Sequence, residues 1–433
     1  MSSVITGTVT PASVADNARY LPWLTCFCAA LFFFFEFMQV NIFNAIAPSL
    51  MKEFSLSAAR VGHISANYFY ATLIFLIPAG MILDRVSTRK VILVAMSSSV
   101  LCTYVFATMN QIWIAELSRF ITGLGGSFCL ISCIRLAANW FPPRRLALVI
   151  GLIVTLAMFG GMLAQTPMTL LTDMLGWRKM MLINASVGVL ILVLIMLFVK
   201  DGPTEGNVAA HTNLAGKAFI KAFGRSLANL QNWLAGLYTS LLNLPIFLLG
   251  ALWGGLYLVQ IQGLSRTQAS FVTSMIFFGT IIGSPLIGWC SDRIGKRRLP
   301  MIICASLSLA SILIVMFTPS LSLLSLLLLF FAIGFFTSGQ IISYPLIAES
   351  NPKALIGTSE GIASTLIMAG GTLQPLFGTL VSFNWQHRYL NGVPLYSKND
   401  FMLAMSMIPV AFVIGLIAAF FIRETYCKPL DNV

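Results

Sequence analysis

The chain is a succession of apolar runs, each about 20 residues long, separated by short polar stretches. The runs are continuous and do not alternate apolar and polar residues, as strands of a membrane barrel would. Runs of this kind predict helices that cross a bilayer, where a helix satisfies all of its own backbone hydrogen bonds. We expect twelve such spans, at about residues 22–48, 63–83, 91–109, 112–139, 146–172, 180–199, 233–258, 269–290, 300–318, 321–348, 356–382 and 401–422.

One long polar interruption, at residues 200–232, divides the spans into six plus six. The predicted organisation is an N-terminal tail (1–21), a six-helix bundle (22–199), a linker (200–232), a second six-helix bundle (233–422) and a C-terminal tail (423–433). In the linker, Phe219, Ile220 and Phe223 recur at helical spacing beside basic residues. This pattern predicts a short amphipathic helix on the membrane surface.

Composition supports an all-α integral membrane protein. Of the 433 residues 58% are hydrophobic and only 9% are charged, and the mean hydropathy is +0.89. A soluble domain carries about 25% charged residues. The net charge of +12 comes from short basic clusters between the apolar runs, which indicates membrane topology and not a nucleic-acid partner.

The basic residues also predict orientation. With a cytoplasmic N-terminus, 17 of the 26 Lys and Arg residues lie inside and 7 outside, while Arg119 and Arg135 lie within the fourth span (17 + 7 + 2 = 26). We therefore expect both termini in the cytoplasm. The expected location is a bacterial inner membrane.

A charged segment occurs twice. The first charged loop, Gly80–Lys90, is repeated 208 positions later (288 − 80) as the second charged loop, Gly288–Arg298. The Gly, the Asp, the Arg and the closing basic pair occupy corresponding positions in the two loops. A second pair, Gly151–Gly161 in span five and Gly361–Gly371 in span eleven, is offset by 210 (361 − 151). Two matches at nearly one spacing indicate two homologous six-helix halves, as expected of a rocking transporter.

These segments, together with Arg119-Phe-Ile-Thr-Gly123-Leu-Gly125-Gly126 in span four, resemble the motifs of the major facilitator superfamily. The resemblance implies twelve transmembrane helices in two pseudo-symmetric bundles and transport by alternating access. The first charged loop departs from the family pattern, with Ser87 in place of the usual Gly and Thr88 in place of a basic residue. The Gly-Pro signature of drug antiporters is absent from span five.

Two groups of the superfamily look nearest. Asn139-Trp-Phe-Pro142, followed by two arginines, and Gly176-Trp-Arg178 resemble the anion:cation symporter-like group. The aromatic first span with Phe35-Glu36-Phe37 resembles the amino-acid transporters of intravacuolar bacteria.

Two charged residues stand inside apolar spans. Glu36 lies near the middle of span one, where a carboxylate costs at least about 2.5 kcal/mol unless it is paired or faces water. We expect it to carry a coupled proton or contact a cationic substrate group; the alternative is a structural carboxyl bonded to a neighbouring helix. Arg119 in span four attracts a substrate carboxylate, modulates the proton affinity of Glu36, or serves as a structural hydrogen-bond centre.

Polar and aromatic residues in other spans are candidates for the substrate cavity, because polar groups in hydrocarbon either bond to another helix or line water. Gln165 and Gln374 are near-equivalent across the repeat (374 − 165 = 209). The candidates are Gln39, Asn67, Tyr68, Tyr70, Gln165, Asn243, Trp253, Gln340, Tyr344 and Gln374.

The charged loops predict a cytoplasmic gate. Basic residues of the first loop can pair with Glu360 across the two halves, and such pairs would break when the cytoplasmic side opens. Asp84 is expected against the N-terminal end of span eleven, and Arg135 either reaches Asp84 or snorkels to the surface. The gate candidates are Gly80, Asp84, Arg85, Arg89, Lys90, Arg135, Gly288, Asp292, Arg293, Arg297 and Glu360.

The sequence thus predicts a proton-coupled symporter that imports a small polar nutrient such as an amino acid or organic anion. No phosphate-binding Gly-Lys-Ser/Thr loop and no histidine cluster occurs, so we expect no enzymatic activity, ATP use, cofactor or metal. The expected partners are the small-molecule substrate, protons and the lipid bilayer, with the protein acting as a monomer. The alternatives are a proton-driven exporter of drugs or siderophore-like compounds, and a sensor that binds without translocating.

Overall fold

The computed structural model describes residues 12–83, 85–202, 224–351, 356–390 and 392–428. Within these residues the chain is helical apart from one short antiparallel hairpin, in which β1 (Tyr389–Leu390) pairs with β2 (Val393–Pro394). Eleven helical segments of the described chain are long and apolar enough to cross a membrane. The remaining expected span, the eleventh, is formed by two consecutive helices, Ile356–Gly371 and Gln374–Ser382.

Several spans consist of two or three consecutive helices. The helices of the first half are Ala12–Asn41 and Phe43–Phe54 (span one), Ala58–Leu83 (two), Thr88–Thr108 (three), Ile112–Gly126 and Cys129–Trp140 (four), Pro143–Leu163 and Thr166–Leu175 (five), and Trp177–Phe198 (six). Those of the second half are Leu230–Leu242, Ile246–Trp253 and Gly254–Gln260 (seven), Arg266–Ile294 (eight), Arg298–Phe317 (nine), Leu323–Thr337, Ser338–Ile342 and Ser343–Glu349 (ten), Ile356–Gly371 and Gln374–Ser382 (eleven), and Lys398–Met405 and Met407–Phe421 (twelve).

Helix starts differ from the predicted boundaries for identifiable reasons. Span seven begins at Leu230, inside the predicted linker, because the Asn229 side chain accepts a hydrogen bond from the backbone N–H of Gln231 and caps the helix. The first helix already begins at Ala12, within the predicted tail, because helical hydrogen bonding does not require an apolar sequence. Most of the predicted amphipathic linker helix lies outside the described residues.

Span seven contains a π-helix, Ile246–Trp253, at its centre. A Cβ at Gly254 would lie 2.3 Å from the carbonyl oxygen of Leu249, so a glycine is needed where the wide turns end. Short π-helical segments are frequent at functional sites. This segment lies against the first half through its contact with Gln165, described below.

The two halves touch on one side of the molecule. We call the side that carries both charged loops the terminal side and the opposite side the far side. On the far side, spans two and eleven approach at backbone distance. A Cβ on Gly62 would lie 2.8 Å from the backbone of Gln374, and one on Gly378 would lie 2.6 Å from that of Ala58. Small residues allow this close helix packing.

The same spans are apart on the terminal side. A Cβ on Gly80, Gly151, Gly288 or Gly361, which lie toward the terminal ends of spans two, five, eight and eleven, would meet no atom within 4 Å. Among the described residues, the hydrogen bonds and ion pairs between the halves lie toward the far side. The molecule is therefore closed on the far side and open on the terminal side.

Candidate functional site

Glu36 is fully enclosed in the first half, with 1% of its surface exposed. The hydroxyl of Ser99 donates to one carboxyl oxygen, and the hydroxyl of Tyr68 donates to the other at 3.1 Å. In the described chain no basic side chain forms an ion pair with this group. Glu36 is thus held by two hydroxyl donors, both of them neutral.

Arg119 lies nearby and is 4% exposed. Its Nη1 donates to the backbone oxygen of Gln39 at 2.9 Å, and its guanidinium carbon lies 4.8 Å from the ring centre of Phe43 and 5.1 Å from that of Tyr68. Its Nε and Nη2 have no partner among the described residues. The guanidinium therefore has cation–π stabilisation but no carboxylate in contact.

Tyr68 connects the two charged groups, because its hydroxyl bonds Glu36 while its ring faces Arg119. Beside Arg119 lies a small cavity of about 10 Å³, close to the volume for one water, lined in part by Gln39 and Ser118. The Nε2 of Gln39 is buried there without a partner among the described residues. Unpaired hydrogen-bond donors thus concentrate on one side of Tyr68. We call Glu36, Tyr68 and Arg119 the charged cluster.

The glycines of span four shape this cluster. A Cβ on Gly126 would lie 2.0 Å from the Tyr68 hydroxyl oxygen, and one on Gly123 would lie 2.1 Å from the Tyr68 backbone oxygen. A Cβ on Gly125 would lie 2.7 Å from the hydroxyl of Ser99. The motif that begins at Arg119 therefore creates the space in which the hydroxyl donors of Glu36 lie.

Gln165 and Gln374 are both fully buried at the breaks in spans five and eleven. Each donates through Nε2 to a carbonyl of the π-helix in span seven: Gln165 to Gly250 at 2.9 Å and Gln374 to Phe247 at 2.8 Å. The repeat-related pair thus holds the π-helix from both halves. Both side chains are enclosed in this conformation, and their role in lining the substrate cavity stays a prediction.

Gln165 also joins a polar network that sequence reasoning missed. Its Oε1 accepts from Asn44 at 2.5 Å and from Thr273 at 2.9 Å, and Asn44 Oδ1 accepts from the backbone N–H of Gly255 at 2.8 Å. An ion pair of 2.6 Å between Arg266 and Asp173 lies on the same side. We call Asn44, Gln165, Thr273 and this ion pair the far-side latch.

The remaining cavity candidates have varied surroundings. Asn243 and Gln340 bond each other through both amides. Trp253 is fully buried in the second half and stacks on Phe377, with ring centres 5.7 Å apart. Asn67 bonds the backbone oxygen of His63 in its own helix. Two half-buried tyrosines complete the set, Tyr70 in span two and Tyr344 in span ten.

The first charged loop is bonded within its own half. The Ser87 hydroxyl caps the helix of span three and donates to Asp201, and Arg89 donates to Asp201 through its backbone N–H (2.8 Å) and to the Met196 carbonyl through its side chain (2.8 Å). Ser87, where the family pattern has glycine, thereby joins spans three and six. The side chains of Arg85 and Lys90 are exposed.

The predicted pairing of this loop with Glu360 stays a prediction. Among the described residues Glu360 is in no ion pair, as expected for a gate that is open on the terminal side. Arg135 donates to the carbonyl of Leu83, next to the predicted partner Asp84. Asp84 itself lies outside the described residues.

The second charged loop forms a network inside the second half. Arg297 pairs with Glu349 at 2.7 Å and with Asp292 at 2.5 Å, while its backbone N–H donates to Glu424 of the C-terminal tail. Burial lowers the pKa of Arg297, but the bonds to both carboxylates outweigh burial and leave that pKa above its usual range. Arg293 stacks over Trp289 instead. Glu349, which the sequence interpretation missed, is the main partner of this loop.

Similarity to known proteins agrees with the fold. Residues 26–375 and 237–426 match the model of the Major Facilitator Superfamily. The chain is 25% identical over 397 residues to the D-galactonate transporter of Escherichia coli O6:H1, covering 84% of this chain and 89% of the relative. It is 24% identical over 364 residues to the gentisate transporter of Corynebacterium glutamicum, covering 82% and 80%.

It is also 24% identical over 396 residues to the membrane sensor protein UhpC of Escherichia coli K12, covering 85% of this chain and 89% of that protein. In three dimensions the chain is similar to the crystal structure of a bacterial homolog to the human lysosomal transporter Spinster, in an inward-facing and unoccupied conformation. The TM-score is 0.73 at 16% identity, with coverage of 92% of this chain and 97% of that one. The chain has two repeated six-helix halves, and the family model matches most of its sequence. The chain therefore belongs to the Major Facilitator Superfamily of membrane transporters.

Proposed function

We propose that the protein is a proton-coupled symporter that imports a small organic anion. Arg119 receives a carboxylate of the cargo, and Glu36 carries the proton. The observation that carries the proposal is the charged cluster, in which a buried acid and a buried arginine share Tyr68 without pairing with each other.

The state of Arg119 supports a carboxylate cargo. A buried guanidinium with two unpaired nitrogens is costly, because buried charges are normally paired and hydrogen-bonded. A carboxylate matches its planar set of donors and can bond two nitrogens at once. The D-galactonate and gentisate transporters are named for organic acids, which supports an organic anion over an amino acid.

Proton coupling follows from the proximity of Glu36. While Arg119 is empty, its positive charge favours the ionised form of Glu36. An arriving carboxylate compensates that charge, so the neutral form of Glu36 becomes easier to populate in this buried site. Anion and proton then bind together, and by linkage each promotes binding of the other. With the terminal side in the cytoplasm, this conformation corresponds to the inward-facing state.

The test is uptake of radiolabelled D-galactonate and gentisate by proteoliposomes under an inward proton gradient, with Glu36→Gln beside wild type. We expect wild type to accumulate one of these acids. Glu36→Gln should lose gradient-driven accumulation by about tenfold or more, while exchange of internal for external anion continues, because exchange requires no net proton movement.

Glu116→Gln is the matched control, since Glu116 is a carboxylate of the same half that pairs with Arg60 on the surface. It should leave accumulation within about twofold of wild type. Accumulation by Glu36→Gln with an unchanged pH profile would remove the coupling assignment. Efflux in place of uptake would favour the exporter alternative.

A sensor is the second candidate function, because the relative UhpC is named a membrane sensor protein. A sensor would bind an anion in the same charged cluster without accumulating it. Saturable binding to purified protein, combined with no uptake and no exchange in proteoliposomes, would favour this role.

A further inference from the structure

A small apolar cluster separate from the main core lies between the two halves. It consists of Val40, Tyr68, Phe69, Phe247 and Ile367, with Tyr344 and Met368 at its edge. We call these residues the central aromatic cluster. It draws on spans one and two of the first half and on spans seven, ten and eleven of the second.

The cluster is a contact between the halves. The Phe69 ring meets the Phe247 ring edge-on, with centres 5.1 Å apart, and a Cβ on Gly371 would lie 2.2 Å from the Phe69 ring. Phe69 is therefore inserted into the second half. Because cargo crosses between the halves, these ring faces line its path once the halves part.

The central aromatic cluster adjoins the proposed carboxylate site. Tyr68 belongs to both, with its ring 5.1 Å from the Arg119 guanidinium and 5.6 Å from the Phe69 ring. Val40 follows Glu36 by one helical turn. A cargo whose carboxylate reaches Arg119 would therefore place the rest of its body against these rings.

The unpaired nitrogen donors near this region lie at its Arg119 end. Asn243 and Gln340, one helical turn from Phe247 and Tyr344, satisfy each other. Among the described residues, the unpaired nitrogen donors next to the cluster are Nε and Nη2 of Arg119 and Nε2 of Gln39, and three buried oxygens on the neighbouring helices, Ser65 Oγ, Ser343 Oγ and Gln374 Oε1, also have no partner. A polyhydroxylated acid carries more hydroxyls than these few groups can bind, and each hydroxyl that loses water without gaining a partner costs affinity.

From these contacts we infer that the cargo carries a carboxylate on an apolar, ring-sized body, and that Phe247 and Phe69 select this body over a polyhydroxylated chain. The inference rests on the proposed function, because it assumes that Arg119 binds the carboxylate. Aromatic rings stack on such faces with a geometry that an extended polyol does not reproduce.

The test is thermal stabilisation of the purified protein by benzoate and by D-galactonate over a range of concentrations. A ligand that binds only the folded state raises the melting temperature by mass action. We expect benzoate to produce a given shift at a concentration about tenfold lower than D-galactonate. Equal or better stabilisation by D-galactonate overturns the inference and leaves the carboxylate site intact.

Stabilisation by neither acid overturns the proposed carboxylate site and this inference with it. Arg119→Gln separates the two proposals further. It should abolish the shift with both acids, because it removes the shared carboxylate contact, and a shift that survives in this variant removes Arg119 from the site.

Phe247→Leu tests selection directly, since leucine keeps an apolar side chain and removes the ring. The concentration of benzoate needed should rise about threefold to tenfold, while that of D-galactonate should change by less than about twofold. Phe317→Leu, at a phenylalanine that is 66% exposed at the end of span nine, is the control and should change neither. Equal changes with both acids in Phe247→Leu, or no change with either, would contradict a selective role for the ring.

Discussion

Gly126 determines where the Tyr68 hydroxyl can lie, and so how Glu36 is held. The hydroxyl occupies the space that a side chain at position 126 would need. This links a motif of small residues to the chemistry of the charged cluster, beyond the helix packing expected of glycines in a membrane.

Gly126→Ala is predicted to displace Tyr68 and break its bond to Glu36. Overpacking of this kind costs about 1–3 kcal/mol of stability, and we expect a lower melting temperature together with weaker proton-driven uptake. Gly202→Ala is the matched control, because its Cβ would also meet no atom within 4 Å and the residue lies in the loop after span six, outside the helices. Equal melting temperatures and uptake in the two variants would argue against the steric role of Gly126.

Among individual residues, the sequence identified the buried charged residues of the site better than the neutral polar ones. Glu36 and Arg119 stand out because a charge inside an apolar run is costly unless it has a purpose. Asn44 and Thr273 do not, because neutral polar residues are tolerated in membrane helices and their partners lie far away in sequence. Glu349 was missed because it ends a span, where a carboxylate is unremarkable.

Among the elements, the π-helix of span seven is where the two halves of the repeat converge. Gln165 and Gln374 occupy matching positions in the repeat, but their hydrogen bonds connect different parts of the molecule. Gln165 crosses from the first half to the second and completes the far-side latch, whereas Gln374 bonds within the second half. The same side chain at matching positions therefore gives a matched pair of variants.

Gln165→Leu is predicted to open the far side, because it leaves Asn44 and Thr273 without their shared acceptor at a cost of about 1–3 kcal/mol. Ser270→Cys serves as the reporter: Ser270 is 2% exposed and lies on the face of span eight that carries Arg266 and Thr273. We expect thiol labelling of this cysteine to accelerate about tenfold in Gln165→Leu.

Gln374→Leu is the control and should lower stability without faster labelling, because its lost bond lies within one half. Comparable labelling in the two variants would mean that Gln165 does not hold the far side closed. The same variants are also labelled without Ser270→Cys, and subtracting that labelling removes the contribution of the native cysteines.

Hydropathy predicted the positions of the helical spans but not their helix type or their exact starts. The pattern located all the spans, since burial in lipid requires apolar length. It gave no sign of the π-helix, because Ile246–Trp253 is uniformly apolar and the change is one of hydrogen-bond register. The start of span seven at Leu230 depended on one capping side chain, Asn229, and not on hydrophobicity.

For the whole molecule, the repeat predicted two bundles, and the match to the Major Facilitator Superfamily confirmed that fold. The conformation could not be predicted, because one sequence must support both the closed and the open arrangement of each side. Glycines of spans two and eleven touch the opposite half on the far side and face open space on the terminal side, at Gly80 and Gly361. We expect the terminal-side positions to make the equivalent close contacts when the molecule rocks.

In the proposed transport cycle, one carboxylate anion and one proton move together through the charged cluster. Proteoliposomes that contain a pH-sensitive dye, with no imposed pH gradient, test it most directly when gentisate is added outside. We expect wild-type protein to acidify the interior only when the anion is present, and we expect Glu36→Gln to lose this acidification. Uptake of the anion by wild type without acidification, or an undiminished acidification in Glu36→Gln, would contradict it.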